Sequence, residues 1–322
     1  MPKRVLVTGR GSIAQRHVRH LRELVPDVDL GVVASVELGS VFQPCRRFDS
    51  FESALTWLPE AVIIASISSR HGTELESCLA LGLPCLVEKP LVTSRTELNR
   101  VRALLEGAPF TALVVGCNLR HLPALKKFRA ELAGKLGRRI LRAQFEVGQE
   151  LTQWRPGRSL ADSYSAIASQ GGGVVFDLVH EIDMALWLLG PLHVVAAVAG
   201  QFSELPINSD DVHVALLRTN DGVPVVISLD YVSQQVVRRY SIVTEIGTYE
   251  IDIPRKHIIL RKRDGNHIVN DCAEDFDVAC SYRLQMADWL ALIADSAHHV
   301  ATPIGDALET AGLMLDLKEA VS

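Results

Sequence analysis

The stretch Val7-Thr8-Gly9-Arg10-Gly11-Ser12-Ile13-Ala14 decides the fold class of this chain. It follows a short apolar run and leads into a helical pattern, so it reads as a strand, a tight turn and a helix start. Gly9 and Gly11 allow the turn and a close approach of backbone to a pyrophosphate, while the small Ala14 lets the helix pack on the strand. The free N–H groups of the first helical turn, beginning at Ser12 and Ile13, are suited to phosphate. The stretch is typical of a dinucleotide-binding turn, although a glycine-rich turn without a ligand has the same pattern.

A β/α rhythm surrounds this turn. Apolar, β-rich runs at residues 4–7, 30–34, 61–65, 84–87 and 111–116 are separated by helical patterns such as 13–24 and 73–81. This alternation predicts a doubly wound parallel sheet of the Rossmann type. We therefore expect a dinucleotide-binding domain over residues 1–118.

The rhythm changes after about residue 119. Long alternating runs at 194–199, 212–219, 223–232, 240–244, 247–253 and 257–262 predict strands, and Asn220-Asp221-Gly222 has the chemistry of a hairpin turn. Helical patterns lie at 123–136, 282–297 and 304–320. Residues 119–322 are therefore expected to form an α+β domain with a large, mostly antiparallel sheet. The overall class is α/β.

Composition excludes several kinds of partner. The chain has 322 residues, 48% of them apolar and 22% charged, with a formal net charge of -5. These values argue against a general binder of nucleic acid or of membrane surfaces. Six cysteines form no C-x-x-C pair and no Cys/His spacing for a metal, so we expect no metal site and reduced thiols in a cytoplasmic protein.

A second informative segment is the glycine-led run Gly171-Gly172-Gly173, followed by Val174-Val175-Phe176-Asp177-Leu178-Val179-His180-Glu181-Ile182-Asp183. The pattern predicts one helix that ends at Gly190-Pro191. On such a helix Asp177, His180 and Asp183 share one side, since three residues advance the helix by roughly 300°. A histidine between carboxylates suits a general acid or base. A satisfied core histidine with solvated acids is the alternative.

Two further features concern a cofactor. Glu88-Lys89-Pro90 follows the strand pattern at 84–87, and ligands of open α/β sheets bind beyond the carboxyl ends of strands. Lys89 there is placed to orient a hydroxyl and help move its proton, although the tripeptide alone is equally typical of a surface lysine. After the second strand, Glu37 is placed to bind ribose hydroxyls, or Ser35 to leave room for a 2′-phosphate. Both NAD and NADP therefore remain open as the cofactor.

Together these segments resemble the Gfo/Idh/MocA family of nicotinamide-dependent oxidoreductases, nearly end to end. The matching motifs are the turn at residues 9–14, Glu88-Lys89-Pro90, the Arg120-x-x-Pro123 entry to the second domain and the segment 171–183. The resemblance implies hydride transfer between NAD or NADP and a secondary hydroxyl or ketone of a sugar, cyclitol or nucleotide-sugar-like substrate. A catalytically silent NAD(P)-binding regulator or partner protein, and transient oxidation without net redox change, are the alternatives.

The resemblance also implies roles for particular residues. Lys89, Asp177 and His180 would form the catalytic group, with His180 as acid/base. The expected cofactor-binding set is Gly9, Gly11, Ser12, Ile13, Ala14, Ser35, Glu37, Ser66, His71, Glu88 and Lys89. Many members place the histidine four residues after the aspartate, whereas here the spacing is three. Glu181 and Asp183 therefore stay as alternative carboxylates.

Substrate contacts are expected from the loop that precedes the glycines. Trp154, Arg155, Arg158 and Tyr164 lie in a Trp/Arg/Gly/Ser-rich stretch, and two arginines beside an aromatic residue can clamp a carboxylate or phosphate. An ordinary surface loop anchored by its tryptophan is the alternative. Arg120 and Asp183 complete the expected substrate set. The imperfect alternation at 212–232 fits a covered sheet face, so a homodimer or homotetramer through the second domain's sheet is expected.

Overall fold

A computed structural model describes residues 1–107, 111–134, 139–154, 157, 159–160 and 163–321. Its strands are β1 Arg4–Thr8, β2 Asp29–Val33, β3 Arg46–Phe48, β4 Ala61–Ile64, β5 Cys85–Val87, β6 Leu113–Val115, β7 Ile140–Gly148, β8 Leu192–Gly200, β9 Val212–Thr219, β10 Pro224–Asp230, β11 Val237–Thr244, β12 Gly247–Asp252, β13 His257–Lys262 and β14 Gly265–Asn270. Its α-helices are α1 Ser12–Leu24, α2 Phe51–Leu55, α3 Ser68–Ala80, α4 Arg95–Gly107, α5 Pro123–Gly134, α6 Val174–Asp177, α7 His180–Leu189, α8 Val278–Ala294 and α9 Ile304–Glu319. The elements fall into two compact units, Met1–His121 with Ala279–Ala311, and Leu122–Val278 with Gly312–Ser322.

The first unit is built on a six-stranded parallel sheet in the order β3-β2-β1-β4-β5-β6. Its central strands are apolar throughout because helices cover both faces of a doubly wound sheet. Helix α1 presents Ala14, Val18 and Leu21 to this core at helical spacing. Helix α8 adds Trp289, whose indole nitrogen donates to the carbonyl oxygen of Ala112 at 3.1 Å. The Rossmann-type sheet predicted from the β/α rhythm is confirmed.

The second unit is built on an eight-stranded sheet in the order β14-β13-β12-β11-β7-β10-β9-β8. All neighbouring strands are antiparallel except β10 and β7, which are parallel. Side chains alternate between two faces. The inner face buries large residues such as Phe145, Tyr240 and Ile227, whereas the outer face carries exposed Val214 and Leu216 on β9. The mostly antiparallel sheet is therefore confirmed.

Some local expectations differ from the structure. The segment 174–189 is not one helix: α6 ends at Asp177, and α7 begins at His180 after a break at Leu178 and Val179. The edge strands β3 and β14 were not predicted, because both are short and mostly polar. The predicted boundary between residues 118 and 119 stays a prediction; by contact, residues 279–311 group with the first unit.

Candidate active site

The dinucleotide turn fits the expected glycine roles. Gly9 has φ +83°, and a Cβ built on it would lie 2.5 Å from the carbonyl oxygen of Ala65, so this position requires glycine. Gly11 has φ -64° and open space where its Cβ would be, and it caps α1 without a side chain. The first-turn N–H groups, beginning at Ser12, therefore remain open toward a phosphate. The residues present fit a dinucleotide pyrophosphate at this turn. Ala14 is fully buried on the face of α1 that packs against the sheet, as its expected packing role requires.

The loop after β4 is held by two residues of α3. Glu74, which was not predicted, accepts hydrogen bonds from Thr8 Oγ1 at 2.7 Å and Ser66 Oγ at 2.9 Å. The buried ring of His71 contacts the carbonyl oxygens of Pro90 (Nδ1, 2.8 Å) and Ser66 (Nε2, 3.1 Å). Ser66 and His71 thus lie beside the turn and the Glu88-Lys89-Pro90 segment, where cofactor contacts were expected.

Lys89 is half-buried and follows β5 at the carboxyl edge of the sheet. The buried Glu88 before it accepts the Lys89 backbone N–H at 3.3 Å and lies 2.7 Å from His17 Nε2. Burial would raise the pKa of Glu88, but the hydrogen bond and charge of His17, together with the charges of Lys89 and His71, outweigh burial and hold that pKa below its usual value. His17 was missed by the motif comparison. The sequence does offer one indication of its role, because His17 is a polar residue on the otherwise apolar, buried face of α1.

The expected contact residues Ser35, Glu37 and Arg120 differ in their exposure. Ser35 and Glu37 lie past the end of β2 and are exposed, so neither is committed to a structural partner by burial. Arg120 is 1% exposed, and Nη1 binds the carboxylate of Asp306 and, at 3.4 Å, the carbonyl oxygen of Ala301. This structural ion pair accounts for the guanidinium without a substrate, so its substrate role stays a prediction.

In the second unit, the glycine run lets protein backbone approach closely. A Cβ on Gly172 would lie 2.4 Å from the carbonyl oxygen of Tyr164, and one on Gly173 would lie 2.4 Å from Asp210 Oδ1. Gly173 also has φ +119°. The glycines therefore seat α6 between two protein loops, which explains two of them without a ligand.

Asp177 ends α6 and is held by a tyrosine that sequence reasoning missed. Tyr231, immediately after β10, donates its hydroxyl to Asp177 Oδ2 at 2.6 Å. The Trp154 ring packs edge-on against Tyr231 with centroids 5.3 Å apart, and its indole nitrogen donates to the carbonyl oxygen of Gln149. Burial raises the pKa of Tyr231 well above its usual value, and the charge of Asp177 raises it further; Tyr164 contributes in the same direction. Trp154, Tyr164 and Asp177 are thus grouped around Tyr231.

The acids Glu181 and Asp183 follow the helix break and lie on α7, near Tyr240. Burial raises the pKa of Tyr240 on β11 well above its usual value, and the charges of Glu181 and Asp183 add to this. Glu181 is fully buried, with Arg238 Nε 2.8 Å from Oε1 and the Tyr240 hydroxyl 3.0 Å from the same oxygen. Burial raises the pKa of Glu181, and Arg238 offsets it only partly. Glu181 therefore belongs to a helix–sheet contact with Arg238 and Tyr240, and Asp183 lies close enough for its charge to act on Tyr240.

His180 is the first residue of α7 and is 7% exposed. It follows the break directly, three residues after Asp177. Arg155 and Arg158 lie outside the described residues. No group of three or more metal-ligating side chains occurs within the ranges that the structure describes, and no helix there is long and apolar enough to cross a bilayer.

Asp210, Lys318 and His213 form a further polar group in the second unit. Lys318 of α9 donates to Asp210 Oδ1 and lies 5.8 Å from the centroid of the Phe176 ring. Burial lowers the pKa of His213 against the charge of Asp210. Nothing in the sequence indicated that Asp210 pairs with Lys318, which lies 108 positions away.

Comparisons with known proteins agree with this architecture. Inositol 2-dehydrogenase 2 of Paenarthrobacter aurescens is 28% identical over 312 residues, covering 91% of this chain and 88% of the relative. UDP-N-acetylglucosamine 3-dehydrogenase GnnA of Acidithiobacillus ferrooxidans has a TM-score of 0.78 at 20% identity, over 100% of this chain and 98% of that one. The WlbA dehydrogenase of Bordetella pertussis, solved with NADH and UDP-GlcNAcA, has a TM-score of 0.81 at 19% identity, over 98% and 94%. The structural matches show a shared fold.

Family models match both parts of the chain. Residues 3–117 match the oxidoreductase family with an NAD-binding Rossmann fold, and residues 133–250 match the GFO/IDH/MocA C-terminal domain. The two matches span most of the sequence and coincide with the parallel sheet and with most of the antiparallel one. The chain therefore belongs to the Gfo/Idh/MocA family of oxidoreductases and carries its NAD-binding Rossmann domain.

Proposed function

We propose that this oxidoreductase transfers a hydride between NAD(P) and a secondary hydroxyl or ketone of a sugar, cyclitol or nucleotide-sugar-like substrate. The observation that carries the proposal is Lys89 at the carboxyl edge of the dinucleotide-type sheet, directly after a buried and hydrogen-bonded Glu88. The named relatives act on an inositol and on a UDP-sugar, which supports a polyhydroxylated substrate.

Each protein group has a separate role in the proposed reaction. The Lys89 ammonium donates a hydrogen bond to the reacting oxygen, which favours negative charge there. A ring nitrogen of His180 takes the hydroxyl proton. A bound nicotinamide would supply the hydride acceptor or donor, and the residues of the first turn would hold its dinucleotide. Gly9, Gly11 and the first turn of α1 hold the pyrophosphate, and the exposed Ser35 and Glu37 lie where a ribose hydroxyl or a 2′-phosphate would be distinguished.

Among the three carboxylates, Asp177 is the one we propose for catalysis. Its neighbours are Tyr231, Trp154 and Tyr164, side chains able to line a sugar site, whereas Glu181 is already paired with Arg238. Asp177 would orient His180 or a substrate hydroxyl through the oxygen that Tyr231 does not bind. Arg155 and Arg158 of the preceding loop remain proposed contacts for a substrate phosphate or carboxylate.

The test is turnover of the full chain on defined substrates. Myo-inositol and UDP-N-acetylglucosamine are each supplied with NAD+ or NADP+, and nicotinamide absorbance is followed. Lys89→Ala and His180→Ala should each lower kcat by about 100-fold or more while NADH binding by fluorescence survives. The exposed Lys262→Ala and His193→Ala serve as matched controls. NADH binding without turnover on any panel sugar would favour a silent regulator, and near-normal turnover in both site variants would refute the assigned roles.

The remaining proposals concern assembly and location. Outer-face residues Val198, Val214 and Leu216 are 64%, 40% and 41% exposed on adjacent strands, which supports a homodimer or homotetramer through the eight-stranded sheet. Cys45, Cys78, Cys85 and Cys272 are free thiols, which supports a cytoplasmic location. We keep residues 1–118 as the dinucleotide-binding domain and 119–322 as the substrate-binding and oligomerisation domain.

A further inference from the structure

We propose that His17 is a positioning residue for Lys89, acting through the carboxylate of Glu88. The inference rests on the proposed function only in taking Lys89 as the group that meets the substrate. His17 lies on α1, the helix whose first turn is the dinucleotide turn, and Glu88 immediately precedes Lys89. A single buried contact thus joins the proposed cofactor-binding helix to the proposed catalytic lysine.

The geometry of the contact is specific. His17 Nε2 lies 2.7 Å from Glu88 Oε1, and Glu88 Oε2 accepts the backbone N–H of Lys89 at 3.3 Å. The two carboxylate oxygens therefore serve different partners, one on each side. Because the carboxylate is fixed by the imidazole, the direction of the Lys89 backbone N–H is fixed as well.

The contact is closely enclosed by the protein. A Cβ on Gly116 would lie 2.9 Å from Glu88 Oε2, so the carboxylate rests directly on the backbone beyond β6. His17 is 0% exposed and Glu88 is 5% exposed. Within the described ranges, His17 Nδ1 has no hydrogen-bond partner, so the orientation of the ring depends on Glu88. A buried, charge-assisted bond of this kind is strong and directional.

Tyr282 of α8 packs against the ring of His17. The rings of His17 and Tyr282 meet edge to face with centroids 6.4 Å apart, and the Arg16 guanidinium lies 4.3 Å from the Tyr282 centroid. A contact that only holds α1 against β5 could be made by apolar packing alone. The two-sided use of the Glu88 carboxylate is the additional feature, and it points to control of the lysine.

The experiment compares two substitutions that differ by one methylene group. In His17→Gln the side-chain amide nitrogen reaches approximately the place of Nε2 and can still donate to Glu88. In His17→Asn it falls short. His20→Asn is the matched control, since His20 pairs with Glu23 on the surface of the same helix. Two readouts are taken: kcat and KM with the panel substrates, and amide hydrogen exchange of the segment containing Lys89 in the cofactor-free protein.

We expect His17→Asn to lower kcat about 10- to 100-fold, with little change in the Kd for NADH, and to speed exchange at the Lys89 amide. His17→Gln should restore most of both properties, and His20→Asn should change neither. In the Lys89→Ala background, His17→Asn should add little further loss, because both act on one group.

Equal kcat in the Asn and Gln variants, or an unaltered exchange rate in His17→Asn, overturns the inference. A full multiplicative loss in the Lys89→Ala background overturns it as well. Failure of the proposed function gives a different pattern: Lys89→Ala then keeps its turnover, while the exchange comparison still reports whether His17 positions the Lys89 backbone.

Discussion

Replacing Arg238 by methionine should expose how much of the second unit depends on one buried ion pair. Glu181 is 0% exposed, and its carboxylate meets Arg238 at 2.8 Å and the hydroxyl of Tyr240 at 3.0 Å. Methionine keeps the apolar stem of the arginine but removes its charge. The carboxylate then stays buried and keeps the Tyr240 hydroxyl but loses its opposite charge, and leaving a buried charge uncompensated is costly.

The size of the loss follows from the geometry. Opposite charges about 4 Å apart at an effective dielectric of about 20 interact by about 4 kcal/mol. Because the Arg238 side chain is 20% exposed, solvent reduces this, and we expect a loss of about 3 kcal/mol in the free energy of unfolding when Glu181 is ionised.

The loss of stability in Arg238→Met should depend on pH, because it requires Glu181 to be ionised. Burial raises the pKa of Glu181 above 4.5, so its stabilising contribution is complete below that value and is lost as pH rises through the folded-state pKa. Without Arg238 the folded-state pKa rises further. The loss in Arg238→Met should therefore be small at about pH 5 and approach its full size at about pH 9.

Urea denaturation followed by circular dichroism at both pH values measures this loss. The double variant Arg238→Met/Glu181→Leu is the control, since an apolar pair of similar volume removes the stranded charge and should recover most of the stability. A loss below about 1 kcal/mol at the higher pH, or equal losses at both pH values, refutes the argument.

Three other outcomes are expected. Gly9→Ala should destabilise the fold by about 2 kcal/mol or more in urea, because of its positive φ and the carbonyl 2.5 Å away, whereas Gly11→Ala should keep the stability and weaken NADH binding at least about tenfold in fluorescence titration. Tyr231→Phe should lower the unfolding free energy by about 1–3 kcal/mol and reduce kcat with an unchanged Kd for NADH, since Asp177 loses its phenol donor; unchanged kcat would remove Asp177 from the mechanism. Leu216→Lys on the outer sheet face should shift the mass found by light scattering to that of a monomer; an unchanged mass would place any interface elsewhere.

The fold class was accessible from sequence because it depends on local periodicity. Apolar runs at the predicted positions became β1, β2, β4, β5 and β6, and the glycines of the first turn took the expected conformations. Edge strands were missed for a physical reason. An edge strand such as β3, Arg46–Phe48, has one exposed side and needs no apolar pattern.

The candidate site was less accessible, because its partners are remote in sequence. Nothing between Val174 and Leu189 resembles a helix breaker, yet the helix is interrupted after Asp177, whose partner Tyr231 is 54 positions away. His17 and Glu88 are 71 positions apart. Motifs identify residues whose role is local, whereas hydrogen bonds of this kind are set by the packed strands and helices.

Helix α8 has a consequence for how the protein is made. It supplies Met286 and Trp289 to the same core as Val5 and Val18, although nearly the whole chain separates them in sequence. A ribosome has therefore synthesised every strand of the eight-stranded sheet before the first unit can complete its core. Until then that core lacks a buried tryptophan, a deficit of about 3–5 kcal/mol by analogy with truncation to alanine. The nascent Rossmann sheet would be the natural client of a chaperone throughout that interval.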